Sequence, residues 1–142
     1  MKEALLWIWQ LPQNLVGYFL TRSTKEIRDF RCSDGEWVSV YYTSNVFGCG
    51  VSLGKYIILD YDKYYTFTST SVVNHEHGHQ KQSRYLGWCY LIVVGLVSAL
   101  FNNVWDRLFH KKWTAKKRNT WYYSRFPENW ADALGNVKRS KV

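Results

Sequence analysis

Residues 75–79 read HEHGH, so His75, Glu76 and His79 take the arrangement HExxH. On an α-helix, positions i and i+4 lie about 40° apart around the axis and one turn apart along it, so both imidazoles can point at one metal ion. Glu76 is beside the first of them, in reach of a water held at the metal's open position, and can act as general base on it. Zinc tolerates nitrogen and carboxylate donors at low coordination number, and one zinc per chain is expected, although such a donor set also admits other divalent ions. His77 sits about 200° from His75 around the same helix and is expected to stay outside that site. Were the segment extended instead, His75, His77 and His79 would share one face and grip a metal differently. Thr68 to Ser71 offer N-caps, which predicts a helix starting near Ser71. Taken by itself, the pattern also reads as a solvent-facing, His-rich helix turn with no ligand.

The second group lies near the C-terminus, in SRFPENWADALGNV. Pro127 favours the first turn of a helix, which puts Glu128 and Asp132, four residues apart, on one helical face. HExxH lacks a third ligand, and Glu128 can supply it. Asp132, one turn on, can accept a hydrogen bond from the free ring nitrogen of a ligating His, fixing its tautomer and raising its basicity. Alone, the pair also reads as an acidic first turn that complements the helix dipole. For the oxyanion that carbonyl chemistry develops, Tyr122, Tyr123 and His110 are the candidate donors.

HEHGH followed about fifty residues later by ENWAD resembles the gluzincin zinc metallopeptidases, and within them the membrane-associated group whose second motif reads ExxAD. The resemblance covers roughly residues 71–80 and 124–136, with GVSLGKYIIL in the place of the strand that precedes the active-site helix. The chain is also similar, over almost its whole length, to small uncharacterised bacterial proteins with HExGHxxQS, an LGxxYL segment and an ExWADxLGGV ending. His77 stands where these carry a large apolar residue, GLVS where they tend to have GLPS, and LGNV where they have LGGV. The resemblance implies that His75, His79 and Glu128 bind zinc, that Glu76 is the general base, that Asp132 orients a ligand, and that the substrate is a peptide or protein. It also implies a single minimal metallopeptidase-like domain over residues 22–142, preceded by an N-terminal apolar helix over 1–21.

The elements that must position these residues are fewer than in most proteases. The 142 residues suffice for one domain, and at 46% hydrophobic and 21% charged the chain can bury a core. Residues Glu36–Ser44 and Lys55–Asp60 are rich in β-branched and aromatic residues and predict two strands, and YYTFTST a short third. FGCG reads as a turn or bulge between them. The expected fold is therefore α+β: a small antiparallel sheet, an HExxH helix, an apolar second helix and a C-terminal ExxAD helix. The three cysteines, Cys32, Cys49 and Cys89, form no CxxC pair and support neither a disulfide framework nor a cysteine-rich zinc site.

Two uncharged apolar stretches frame this unit. Ala4–Leu20 has no small-residue cleavage pattern after it, so removal as a signal peptide is not expected. Gln10, Gln13, Asn14, Gly17 and Thr21 fall on one stripe, and Pro12 predicts a kink or break. The stretch reads as a short membrane anchor, a helix lying in the interface, or a helix packed on the domain. Tyr85–Phe101 is short for a span, and a single crossing there would separate His75 and His79 from Glu128 by a bilayer. It must pack as a helix beneath the site, partly embedded, or dip in and return with a bend at Gly95. The basic run between Asp106 and Arg118 suits an anionic leaflet.

Aromatic residues make up 18% of the chain, with eight Trp and eleven Tyr, and net charge is +8, from 19 Lys and Arg against 11 Asp and Glu. Both features favour contact with an anionic membrane surface. If the first stretch spans, the Lys and Arg after it favour a cytoplasmic catalytic portion. Nucleic-acid binding rests on charge alone, with no accompanying motif. The leading expectation is a membrane-associated zinc metallohydrolase acting on peptides. The other is a non-catalytic membrane-binding or interaction module whose His cluster is structural or incidental.

Overall fold

The computed structural model describes residues 2–46 and 49–139, an α+β arrangement of seven α-helices and one mixed four-stranded sheet among the described residues. The strands are β1 (Glu26–Arg31), β2 (Trp37–Thr43), β3 (Gly50–Leu53) and β4 (Tyr56–Asp60), in the order β1-β2-β4-β3. Two of them match the expected strands. β1 was not anticipated, and YYTFTST is no strand: it leaves the short helix α3 (Tyr61–Tyr64) as irregular chain. Phe47 and Gly48 of the glycine cluster lie outside the described residues.

The antiparallel expectation is corrected at one pair. β2 and β4 run parallel, whereas β1–β2 and β3–β4 are antiparallel. β3 turns back at Gly54, whose φ of +61° suits glycine, and the hairpin delivers β4 alongside β2 in the same direction. Every residue of β4 is buried, which is what a central strand covered on both faces requires. Ile57 and Leu59 pack with Val40, Tyr42 and Val73, and Ile58 and Tyr56 pack with Leu53, Tyr90 and Val94. This period-two split makes β4 the floor of both cores. β3 is left as a sheet edge.

The HEHGH segment lies in α4 (Thr70–Leu86), as its caps dictate: the Ser69 hydroxyl accepts from the Val72 N–H, and Gly87, at φ +52°, ends the helix. Of its nine buried residues only Val73 is large and apolar, so the helix is seated by polar contacts. α7 (Glu128–Leu134) lies against it backbone on backbone. A Cβ on Gly78 would stand 2.0 Å from the carbonyl oxygen of Ala131, and one on Gly135 2.0 Å from that of Asn74. Those two glycines set the distance between the helices.

The N-terminal stretch is two helices, α1 (Lys2–Trp9) and α2 (Leu11–Thr21), broken at Gln10 with Pro12 in the first turn of the second. Neither has the length of a span, which corrects the single N-terminal apolar helix. Among the described residues one helix is long and apolar enough to cross a membrane, Leu91–Phe109. It is wound as a π-helix over Leu91–Val104 and continues as α5 (Trp105–Phe109). It passes through Gly95 without interruption, so the dip-and-return alternative is overturned. α6 (Ala115–Tyr123) completes the chain between α5 and α7.

Candidate metal centre

α4 presents His75 and His79 on one face, and α7 brings the first residue of its opening turn, Glu128, between them. Oε2 of Glu128 stands 3.1 Å from His75 Nε2 and 3.2 Å from His79 Nε2. All three residues are buried, and one donor atom from each lies within 4.8 Å of the others. Ligands about 2.0–2.1 Å from a tetrahedral ion sit about 3.3 Å apart, so these separations fit neighbouring corners of one coordination sphere.

The far nitrogens are also occupied. His75 Nδ1 faces Asp132 Oδ1 at 2.7 Å, and His79 Nδ1 faces Gln82 Oε1 at 2.7 Å. The Gln82 amide nitrogen donates to the Pro127 carbonyl at 2.9 Å, which turns its oxygen toward His79. The four ring nitrogens thus meet four acceptor contacts, while two neutral imidazoles carry only two N–H groups. With both Nδ1–H groups donated outward, both Nε2 lone pairs converge on the Glu128 oxygen, and a cation there satisfies all three. The donor set therefore fits a divalent metal ion.

Electrostatics point the same way. Burial alone would lower the pKa of His75, but its bonds to Asp132 and Glu128 outweigh this and raise it to about 9. Burial disfavours the charged Glu128, yet its hydrogen bonds to His75 and His79 hold the carboxyl well below its ordinary value. The site keeps negative charge in a buried place and matches it with whatever positive charge is at hand. Glu76 differs: burial pushes its pKa up, and its Oε2 has no hydrogen-bond partner among the described residues. Oε1 fits beside Gly50, where a Cβ would stand only 2.7 Å from it.

Further side chains hold the two carboxylates in place. Glu128 Oε1 accepts from the Ser98 hydroxyl and from Tyr122 OH, the latter at 3.0 Å. Tyr122 is thus committed to Glu128. Arg139 grips Asp132 through Nε to Oδ2 and Nη2 to Oδ1, with its guanidinium 3.3 Å over the Tyr123 ring. Tyr123 meets His75 edge-on with ring centroids 5.2 Å apart, and burial raises its hydroxyl pKa to about 12. His110 is not brought to the site. It is fixed by Asp106 at 3.1 Å and stacked on Trp113 at 3.8 Å. Gln82 had a legible signal, the i+3 spacing from His79 on one helix face. Ser98 and Arg139 had none, since only the tertiary fold brings them near.

His77 points away, to Asp34 at 2.9 Å and Gln80 at 3.1 Å. Cys32, Asp34 and His77 form a second compact group of possible ligands. There, however, Asp34 already pairs with the Lys81 ammonium at 2.6 Å, and burial with two nearby acids pushes the Cys32 thiol up to about 11. That group ties the β1–β2 turn to α4 and is poorly suited to hold a thiolate ligand.

The metal-ligand candidates open onto a cavity of about 860 Å³, walled by Gly50 to Ser52 of β3, by Val94, Gly95 and Ser98 of the apolar helix, and by Tyr122 and Tyr123. No protein-family model, no curated protein and no solved structure matches the chain.

Proposed function

We propose that the chain is a zinc-dependent metallohydrolase acting on peptide bonds, with His75, His79 and Glu128 as the metal ligands and Glu76 as the general base. The observation that carries this reading is the convergence of both Nε2 atoms on Glu128 Oε2, with a buried carboxylate oxygen of Glu76, unpartnered among the described residues, in the same helix turn. Zinc held by these three residues supplies Lewis acidity to a water molecule and to a scissile carbonyl.

The protein's own groups do the rest. Glu76 takes a proton from the attacking water and passes it to the leaving amine, and a pKa raised by burial is what that double duty requires. Asp132, held by Arg139, keeps His75 in the tautomer that presents Nε2, and Gln82 does so for His79. Ser98 and Tyr122 fix the Glu128 carboxylate, so Tyr123, lining the cavity against His75, is the oxyanion donor this reading favours. The edge of β3 lies beside the cavity with its Ser52 carbonyl taken by Tyr90, and its remaining backbone groups are offered to an extended peptide.

The test is hydrolysis of a mixed fluorogenic peptide set by the zinc-loaded protein and by Glu76→Gln. Turnover by the wild type that falls by about 10²–10⁴-fold in Glu76→Gln, with metal retained, is the expected result. Equal rates in the two proteins would leave a non-catalytic membrane-binding module, the reading that the exposed apolar helix favours.

A further inference from the structure

Two segments of this protein are turned inside out. In α1 and α2 the polar stripe faces protein: Gln10 and Gln13 donate to the Ser83 hydroxyl, Gln13 also to the Gly87 carbonyl, and Asn14 accepts from the Lys55 N–H. Gln13 and Asn14 are 0% exposed, while Leu5 is 64% and Phe19 62% exposed. Water selects the reverse distribution. The helix Leu91–Phe109 repeats the inversion. Asn102 and Asp106 are buried, Ile92, Leu96, Leu100, Val104 and Leu108 are exposed at four-residue steps, and only 17% of its apolar window is buried. The two surfaces adjoin, because the Trp88 indole donates to the Ile8 carbonyl and the Trp9 indole to that of Arg84, each at 2.9 Å. Taken as one face, they are too extended for a scatter of surface hydrophobics.

We infer that this face is seated in one leaflet of an anionic bilayer, with Leu91–Phe109 lying in the membrane plane and not crossing it. Two observations select a lipid surface as the occupant. Trp9, Trp88 and Trp105 are exposed on these same segments, where amphipathic rings meet head groups, and Lys111, Lys112, Lys116 and Lys117 follow the helix, all exposed. The orientation follows from how the helix is fastened. Tyr90 OH holds its start to the Ser52 carbonyl at 2.8 Å, Ser98 holds its middle to Glu128, Asn102 reaches the Phe126 carbonyl at 3.2 Å, and Asp106 pairs with Arg118 near its end. A helix pinned along its length to one body, with α4 before it and α7 after it meeting in one cluster, has no way to put its ends on opposite sides of a bilayer. Its inner wall then holds the cavity at the membrane surface.

The test is flotation of the full-length protein with vesicles of phosphatidylcholine, with and without phosphatidylglycerol, read without reference to hydrolysis. The wild type floats with the anionic vesicles and less in high salt. Leu96→Glu/Leu100→Glu sinks while keeping its metal content, which separates lost seating from lost folding. Lys111→Glu/Lys112→Glu, away from the core, floats several-fold less on anionic vesicles and loses the salt dependence. Brominated lipids quench tryptophan emission when the bromine is shallow, and hardly at all when it is deep. In a background with Cys32, Cys49 and Cys89 replaced by serine, because Cys49 and Cys89 are themselves exposed, Lys63→Cys and Lys112→Cys, before and after the helix, label equally with an impermeant maleimide added outside the vesicles. A wild type that stays unbound, as a monomer or as a dimer that covers this face, overturns the proposal, as do variants that float like the wild type. Deep quenching, or labelling of only one of the two cysteines, means a crossing helix and overturns the in-plane seat.

Discussion

Two imidazoles, one shared carboxylate oxygen and a shortage of N–H groups set what the centre can do. Because Gln82 Oε1 is the partner of His79 Nδ1, Gln82→Leu removes it without touching a ligand. Zinc affinity of that variant, measured by competition with a chromophoric chelator, should drop by about 10–100-fold, the usual cost of losing such a partner. Gln82→Glu, which keeps that acceptor but cannot donate to the Pro127 carbonyl, should recover only part of it. Of the candidate ligands, His75 and His79 were legible in the sequence because positions four apart on a helix meet on one face, while Glu128 was named as the missing third from the second motif. The carboxylate that orients His75 was legible for the same reason. The groups that hold Glu128 and Asp132 were not: Ser98 and Arg139 come from segments whose approach depends on the whole fold. His110, offered by the sequence as an oxyanion donor, is instead spent on Asp106 and the Trp113 ring.

At the scale of elements, the centre exists because α4 and α7 touch at Gly78 and Gly135. Gly78→Ala has no room for its methyl group against the Ala131 carbonyl, so α7 must shift and carry Glu128 away from the two histidines. Overpacking of this kind costs about 1–3 kcal/mol, and a urea melt of the metal-free variant should read a loss of that size, with metal binding lost as well. A variant that melts like the wild type and keeps its metal would mean that the helix contact does not set the site. α4, β2 and β4 were readable from N-cap residues and β-branched runs. Parallel pairing of β2 with β4 was not, since it depends on a hairpin returning between them. β1, EIRDFR, sets Ile27 and Phe30 three apart among four charged residues, so no period-two apolar pattern marks this half-exposed edge. The polar stripe of the N-terminal segment was visible, but nothing local said that it would face inward.

At the scale of the whole molecule, protons and metal compete for the same buried charge. In protein stripped of metal, His75 titrates at about 9 instead of 6.5. A pKa raised on folding contributes stability that is complete below the unfolded value and is lost as pH rises through the folded one. The thermal midpoint of stripped protein should therefore fall between about pH 6.5 and 9, while zinc-loaded protein, whose ligand cannot take that proton, should not follow it. Glu128, held below its ordinary value, adds stability present above about pH 4.5 and lost in acid. A scan of both forms by fluorescence melting checks both limits, and coincident curves would remove the metal from the account. The most direct test is metal content by inductively coupled plasma mass spectrometry, on protein purified without a His tag, alongside His79→Ala and Glu128→Ala. Close to one zinc per chain is expected in the wild type, and loss of it in both variants. A folded wild type that stays empty after incubation with zinc would contradict it.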